Sequence, residues 1–247
     1  MIYLFTVSRA AAGGNLVAFQ SSASADKAAA KQVLKLQRRA LQEATREFPA
    51  TTHKTGSQFI VMNQSLESGR AGRAIGAMFF SVFGGLWLCF WVYLAFDARP
   101  LFIAMVVLLA AVLAAFSYRR YRRHRLARAA EAALPSRRRA SRIFNIVNAV
   151  QWIAIFVAGQ VLIHLGLSSW VIPAVIFIIG LHFLPLAHAF AWRPHYMTGA
   201  ALMLLAVIYP LLAPAGPASP VGCLGVGLIL WSSALWALMA RSASIRA

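Results

Sequence analysis

Apolar residues fall into six long runs, at about 74–96, 100–118, 144–166, 170–190, 196–214 and 221–240. Each approaches the roughly 20 residues that a helix needs to cross a bilayer's hydrocarbon core. The runs hold no Asp, Glu, Lys or Arg, and polar residues are otherwise sparse in them. The pattern predicts an all-α, polytopic membrane bundle of six transmembrane helices. The fifth run is the weakest, because Pro210 and Pro214 interrupt its end.

The connections set an orientation. Only Asp97-Ala98-Arg99 separates the first two runs, whereas Arg119–Arg142, between the second and third, holds ten Arg and one Glu. Under strict up-down alternation this basic stretch, Arg193, the Arg70/Arg73 approach and the tail with Arg241 and Arg246 all share one side. Lys and Arg are retained in the cytoplasm, so both termini are expected there. The inner (cell) membrane is the expected location. Tyr118 to Leu134 lacks Gly and Pro and stops at Pro135, so the second helix should continue into the cytoplasm.

Residues 1–73 differ in kind and are read as a cytoplasmic segment, followed by a membrane domain at 74–240 and a tail at 241–247. Within the segment, 24–48 forms a basic amphipathic helix. Val33, Leu34, Leu41, Ala44 and Phe48 lie on one side, and Lys27, Lys31, Lys35, Arg38, Arg39, Gln42 and Arg46 on the other. Such a helix suits a lipid surface, and equally a solvated position. Met62 opens a complete start of its own, so 1–61 also reads as an upstream extension.

Composition supports the membrane reading: 60% hydrophobic and 12% charged, with a formal net charge of +18. The positive charge lies between apolar runs, which favours anionic lipid over nucleic acid as its partner. The expected contacts are Arg119, Arg120, Arg122, Arg123, Arg125, Arg137, Arg138 and Arg139. Cys89 and Cys223 stand apart inside runs and give neither metal spacing nor a disulfide framework.

Polar residues concentrate in the third and fourth runs. The third has Asn145, Asn148, Gln151, Gln160 and His164; the fourth has His182, Pro185 and His188. Residues placed symmetrically about position 168 sit at similar depth, which sets Asn148 level with His188 and Gln151 level with Pro185. Pro185 cannot bond the Leu181 carbonyl; Gln151 is the natural donor to it, and His182 and Asn148 are the next candidates. Asn145, Asn148, Gln151, His182, Pro185 and His188 therefore form either interhelical glue or a polar cavity open to the cytoplasm. No carboxylate joins the histidines, so no metal or other cofactor is expected. No nucleophile stands with a base, so enzymatic activity is not expected either. Ala77, Ser81 and Gly85 form a small-residue ladder, and Cys223 and Gly227 begin another. These suit close helix packing within the bundle or in a homo-oligomer.

Gly180-Leu181-His182-Phe183-Leu184-Pro185-Leu186-Ala187, with Asn145–Trp152 before it and Tyr196-Met197-Thr198-Gly199 after it, is similar to a pattern in small uncharacterised bacterial multi-pass membrane proteins. The resemblance covers roughly 140–240 and singles out His182 and Pro185. It implies the helical bundle and no activity. Two functions follow from the residues: a non-enzymatic structural, sensory or assembly protein, or a small transporter or permeability protein for a polar solute.

Overall fold

The computed structural model describes residues 31–40, 42–43, 50–131 and 135–240. All six apolar runs are helical: α1 (Ala50–Ala95), α2 (Pro100–Glu131), α3 (Pro135–His164), α4 (Val171–Ala189), α5 (Pro194–Leu212) and α6 (Val221–Met239). Each contains a segment long and apolar enough to cross a membrane, and no strand occurs among the described residues. The chain is a multi-pass helical membrane protein.

Several boundaries differ from expectation. The first helix starts well before residue 74, at Ala50, and the third at Pro135 instead of 144. The segment that opens α3 is rich in Arg and Ala, which are good helix formers, and Pro135 sits at the first position, where its missing N–H is not needed; the stretch before residue 74 is helical although Thr, Ser and Gly are frequent in it. α2 runs on past Tyr118 to Glu131, as its Ala- and Arg-rich sequence predicts. α5 passes through Pro210 and ends at Leu212. Of the amphipathic helix at 24–48, residues 31–40 and 42–43 are helical, and the rest lies outside the described residues.

The chain divides into two compact units. One comprises 1–69 and 124–133; within it Ser68 is buried and Glu67 bonds the His124 Nδ1 atom. The other comprises 70–123 and 134–247 and holds the membrane bundle.

The core of the bundle is built by α1, α4, α5 and α6. Ala77 and Phe80, Ile176 and Phe183, Leu202, Ala206 and Tyr209, and Val226, Leu230, Ala234, Ala237 and Leu238 are buried together. Glycines allow the helix axes to approach. A Cβ on Gly180 would lie 2.8 Å from the Gly199 carbonyl oxygen, and one on Gly199 would lie 2.7 Å from that of Gly180. This makes α4 and α5 a backbone-to-backbone pair. The α1–α6 crossing uses Gly84 and Gly227 in the same way. The expected ladder in α1 is thus divided. Ala77 and Ser81 are fully buried, Gly85 faces Ala110 of α2, and the neighbouring Gly84 meets α6.

Polar atoms in this core are bonded locally or across one crossing. Ser81 donates to the Ala77 carbonyl (2.7 Å), and Trp231 Nε1 donates across to the Ser81 carbonyl (3.1 Å). Ser233 Oγ reaches the Ile229 carbonyl (2.8 Å) and Thr198 Oγ1 the Pro194 carbonyl (3.2 Å), and the two hydroxyls share a hydrogen bond with each other (2.9 Å) across α5 and α6. A double-mutant cycle of Thr198→Val and Ser233→Ala in micelles should give a coupling of about 0.6–1.7 kcal/mol, the range for hydrogen bonds between membrane helices. A coupling near zero would mean that the pair is not bonded.

α2 and α3 lie outside this core. None of the spanning window of α3 is buried, and 6% of that of α2 is. Leu101, Met105, Leu108 and Val112 of α2 and Val150, Ile153, Phe156 and Val157 of α3 are exposed apolar side chains, suited to lipid. The turn between α1 and α2 is tight, with Asp97 and Ala98 both at positive φ (49° and 56°). Two contacts align helix ends: Arg73 of α1 lies over the Trp192 ring beyond α4, and Arg120 of α2 donates to the Leu238 carbonyl of α6. The Arg73 end of the apolar run in α1 therefore shares one end of the bundle with the end of α4, and through Arg120 the apolar run of α2 meets the end of α6, as up-down alternation requires.

Candidate functional site

α3 packs antiparallel against α4 through a short 3-10 turn at Ser168–Trp170. Ala140 of α3 is buried, and Ile143, Phe144, Val147, Asn148, Gln151, Ala154, Ile155, Ala158, Gly159 and Leu162 are partly covered, a stripe of three- and four-residue steps. Asn148 and Gln151 lie on it; Asn145, Gln160 and His164 lie on the exposed flank. The polar residues of α3 thus serve two faces, which a count of polar residues does not reveal.

α4 sorts its residues likewise. Pro173, Ile176, Gly180, Phe183 and Ala187 are buried. Val175, Ile178, Ile179 and His182 are half-buried, while Leu181, Pro185 and His188 are exposed. Pro185 and the Leu181 carbonyl four residues before it therefore belong to the outward side of α4. Gln151 sits on the covered stripe of α3, and no hydrogen bond joins it to the Leu181 carbonyl. The expected repair of the proline break is not made, because the two groups occupy different faces.

What the structure brings to the α3–α4 region is a set of unserved polar atoms. Gln151 Oε1 and both ring nitrogens of His182 are buried and have no hydrogen-bond partner. The Ile179 carbonyl, one turn back on α4, approaches the His182 ring without meeting hydrogen-bond geometry. By symmetry about the turn, Gln151 and His182 differ in depth by about three residues, or roughly 4–5 Å at the rise of a helix. Buried polar atoms are nearly always bonded to protein or water, so each of these two residues marks a place where a polar partner fits.

His195 falls between the apolar runs at 170–190 and 196–214 but is helical. Pro194 opens α5, so His195 stands in the first turn, in line with Thr198, Leu202, Ala206 and Tyr209 on the buried stripe. Its ring contacts Phe80 edge-on (5.8 Å between centroids) and Phe183 (5.7 Å). Phe183 also touches His182 (5.0 Å), so the two imidazoles flank one phenyl ring. Proline at the first helical position, followed by three- and four-residue spacing, was the signal that placed it.

The basic residues divide as well. Arg119, Arg122, Arg123, Arg138 and Arg139 are exposed, as lipid contacts require. Arg125 is half-buried, and Arg137 lies in the first turn of α3. Arg120 is half-buried and bonds the Leu238 carbonyl, so it first closes the C-terminal end of α6. Among the described residues no group of three His, Cys, Asp or Glu is placed to hold a metal ion. No family model matches the sequence, no curated protein matches it, and no solved structure matches the fold.

Proposed function

We propose that the chain is a non-enzymatic inner-membrane protein with both termini in the cytoplasm, and that it works as an assembly component through α3. The observation that carries this reading is α3 itself. It spans as an apolar helix, none of its spanning window is buried, and its outer flank carries Asn145, Gln160 and His164 at helical spacing. Gln160 lies within the run, where lipid tails offer its amide no hydrogen bond and another membrane helix does, while Asn145 and His164 flank the two ends of the same face. The hydroxyls of Ser81, Ser117, Thr198 and Ser233, by contrast, are engaged by helix carbonyls or by each other.

A second reading rests on a different observation. Buried, unpartnered atoms on Gln151 and His182 suit a small transporter or permeability protein, in which a polar solute or water supplies the missing bonds. Single cysteines separate the two, in a background with Cys89→Ala and Cys223→Ala. Under the assembly reading, Gln151→Cys and His182→Cys stay protected from a small polar thiol reagent applied to the cytoplasmic face. Labelling of both supports transport instead.

Sidedness is read in the same background. A membrane-impermeant reagent applied outside should label Ser168→Cys, in the turn between α3 and α4, and should spare Ser141→Cys, near the basic end of α3. The reverse pattern would overturn the orientation.

A further inference from the structure

Taking α3 as the assembly surface proposed above, we infer that its partner is a second copy of this chain, in a two-fold pair in which Gln160 of each protomer hydrogen-bonds its counterpart.

The outer side of α3 carries a regular seam. Arg142, Ile146, Ala149, Ile153, Phe156, Gln160 and Ile163 follow one another in alternating steps of four and three residues, and all are exposed. Ile146, Ile153, Phe156 and Ile163 are each more than half exposed. Two helices meeting along such a seam interdigitate their side chains at a crossing of about 20°. An apolar seam by itself would suit lipid equally well. Gln160 separates the two cases. It is the one polar seam residue inside the apolar run, and no hydrogen bond joins it to any other described residue. Side chains on a helix lean towards the N-terminus of that helix. For α3 this is the basic end, so the Gln160 amide leans back along the apolar run and away from the turn that follows His164. Lipid tails there leave its donors and its acceptor unserved.

The chemistry of the seam selects a second copy. Copies of a multi-pass chain enter the bilayer the same way up. A two-fold axis relating them runs along the membrane normal, and each residue then meets its own counterpart at the same depth. A group can serve its counterpart only if it both donates and accepts. A carboxamide does so, with two N–H donors and a carbonyl oxygen, whereas ammonium, guanidinium and carboxylate groups repel their like. No charged residue lies on the seam within the run; Arg142 ends it outside the run, where water and salt screen the two charges. Asn145 and His164, towards the two ends of the same face, also combine donor and acceptor. Ala149 is small enough for the two backbones to approach. One amide in an otherwise apolar seam also fixes register, because a slip leaves both copies unpaired.

The full chain, with Cys89→Ala and Cys223→Ala and a fluorophore on its C-terminal tail, is reconstituted in phosphatidylcholine liposomes over a range of protein densities. Single-molecule photobleaching then counts the copies per particle. The parent chain should dimerise. Gln160→Leu should weaken dimerisation about tenfold, the loss of two hydrogen bonds between membrane helices. Gln160→Asn, which keeps the amide, should lose less. Because Gln160 is exposed, neither change should alter the thermal unfolding midpoint of the monomer. Ile153→Cys and Phe156→Cys should oxidise to disulfide-linked dimers, and Leu108→Cys, on the exposed side of α2, should not. A dimer that Gln160→Leu leaves unchanged, or one linked through Leu108→Cys instead, would overturn the inference. A photo-cross-linking residue in place of Ile153, used in cells, separates this failure from that of the assembly reading. An adduct of twice the chain's mass is expected. An adduct of another mass, with monomers in liposomes, would overturn the second copy and leave α3 an assembly surface. Monomers without any adduct would overturn both.

Discussion

Gly180→Val should be among the most damaging single substitutions in the chain, lowering stability by about 2–4 kcal/mol, at or beyond the upper end of ordinary overpacking. A Cβ at this position would stand 2.7 Å from Met203 Cγ, 2.8 Å from the Gly199 carbonyl oxygen and 2.9 Å from the Met203 amide nitrogen. The methionine side chain can rotate away. The carbonyl and the amide belong to the backbone of α5 and cannot move without separating the two helices. Separation would also loosen Phe183, Leu202 and Ile176, which are buried in the same core. Gly76→Ala and Gly159→Ala are the controls, since nothing lies within 4 Å of an added Cβ at either site. They should be neutral, or stabilising by up to about 1 kcal/mol through helix propensity. Tryptophan fluorescence during denaturation in mixed micelles reads all three. If Gly180→Val unfolds with the wild-type midpoint, α4 and α5 are not in backbone contact.

The membrane bundle was legible because its signal is redundant. Six apolar runs, the short turns between them and the one-sided distribution of Arg point to the same arrangement, and contacts such as Arg73 with Trp192 align helix ends as that arrangement requires. What the sequence hid is which helices form the core. Hydropathy alone does not sort them: peripheral α3 has the same mean hydropathy as core helices α1 and α6, since a lipid-facing residue and a core residue are equally apolar in a bilayer. The distinction lies in small residues at crossings. Even there the ladder through Gly85 misled by one position: Gly84 makes the crossing with α6, and Gly85 faces α2.

The candidate site was legible in composition but not in direction. Depth follows from counting residues from the turn, and that count placed Gln151 near Pro185. Direction depends on helical phase, which puts Gln151 on the covered stripe of α3 and Pro185 on the exposed side of α4. His195 shows the opposite error. Its phase was readable from Pro194 onward, but it was counted as part of a connection and left out. The pair at Glu67 and His124 was hidden for another reason. It joins residues far apart in sequence, in the helix extensions beyond the apolar runs, where periodicity says little about partners.

His182→Leu should stabilise the protein, by about 1 kcal/mol. An imidazole whose two nitrogens are buried without partners bears the cost of lost hydration with nothing in return, typically about 1–3 kcal/mol in water-soluble proteins. The gain is smaller here, because the unfolded helix in a membrane or micelle also hydrates the group poorly. Leucine is close in size, and the neighbouring Phe183 ring offers it an apolar contact. Gln151→Leu should act in the same direction through its buried Oε1 atom. The double variant then decides what the two residues share. If one polar space serves both, the effects should depart from additivity by about 0.5 kcal/mol or more, whereas isolated sites add. A loss of stability in His182→Leu would show that the imidazole is hydrogen-bonded in the working protein, and water or solute in the α3–α4 region would be the source of those bonds. A gain, together with loss of whatever the protein does in the cell, is the signature of a site that keeps unserved polar atoms for its function at the expense of stability.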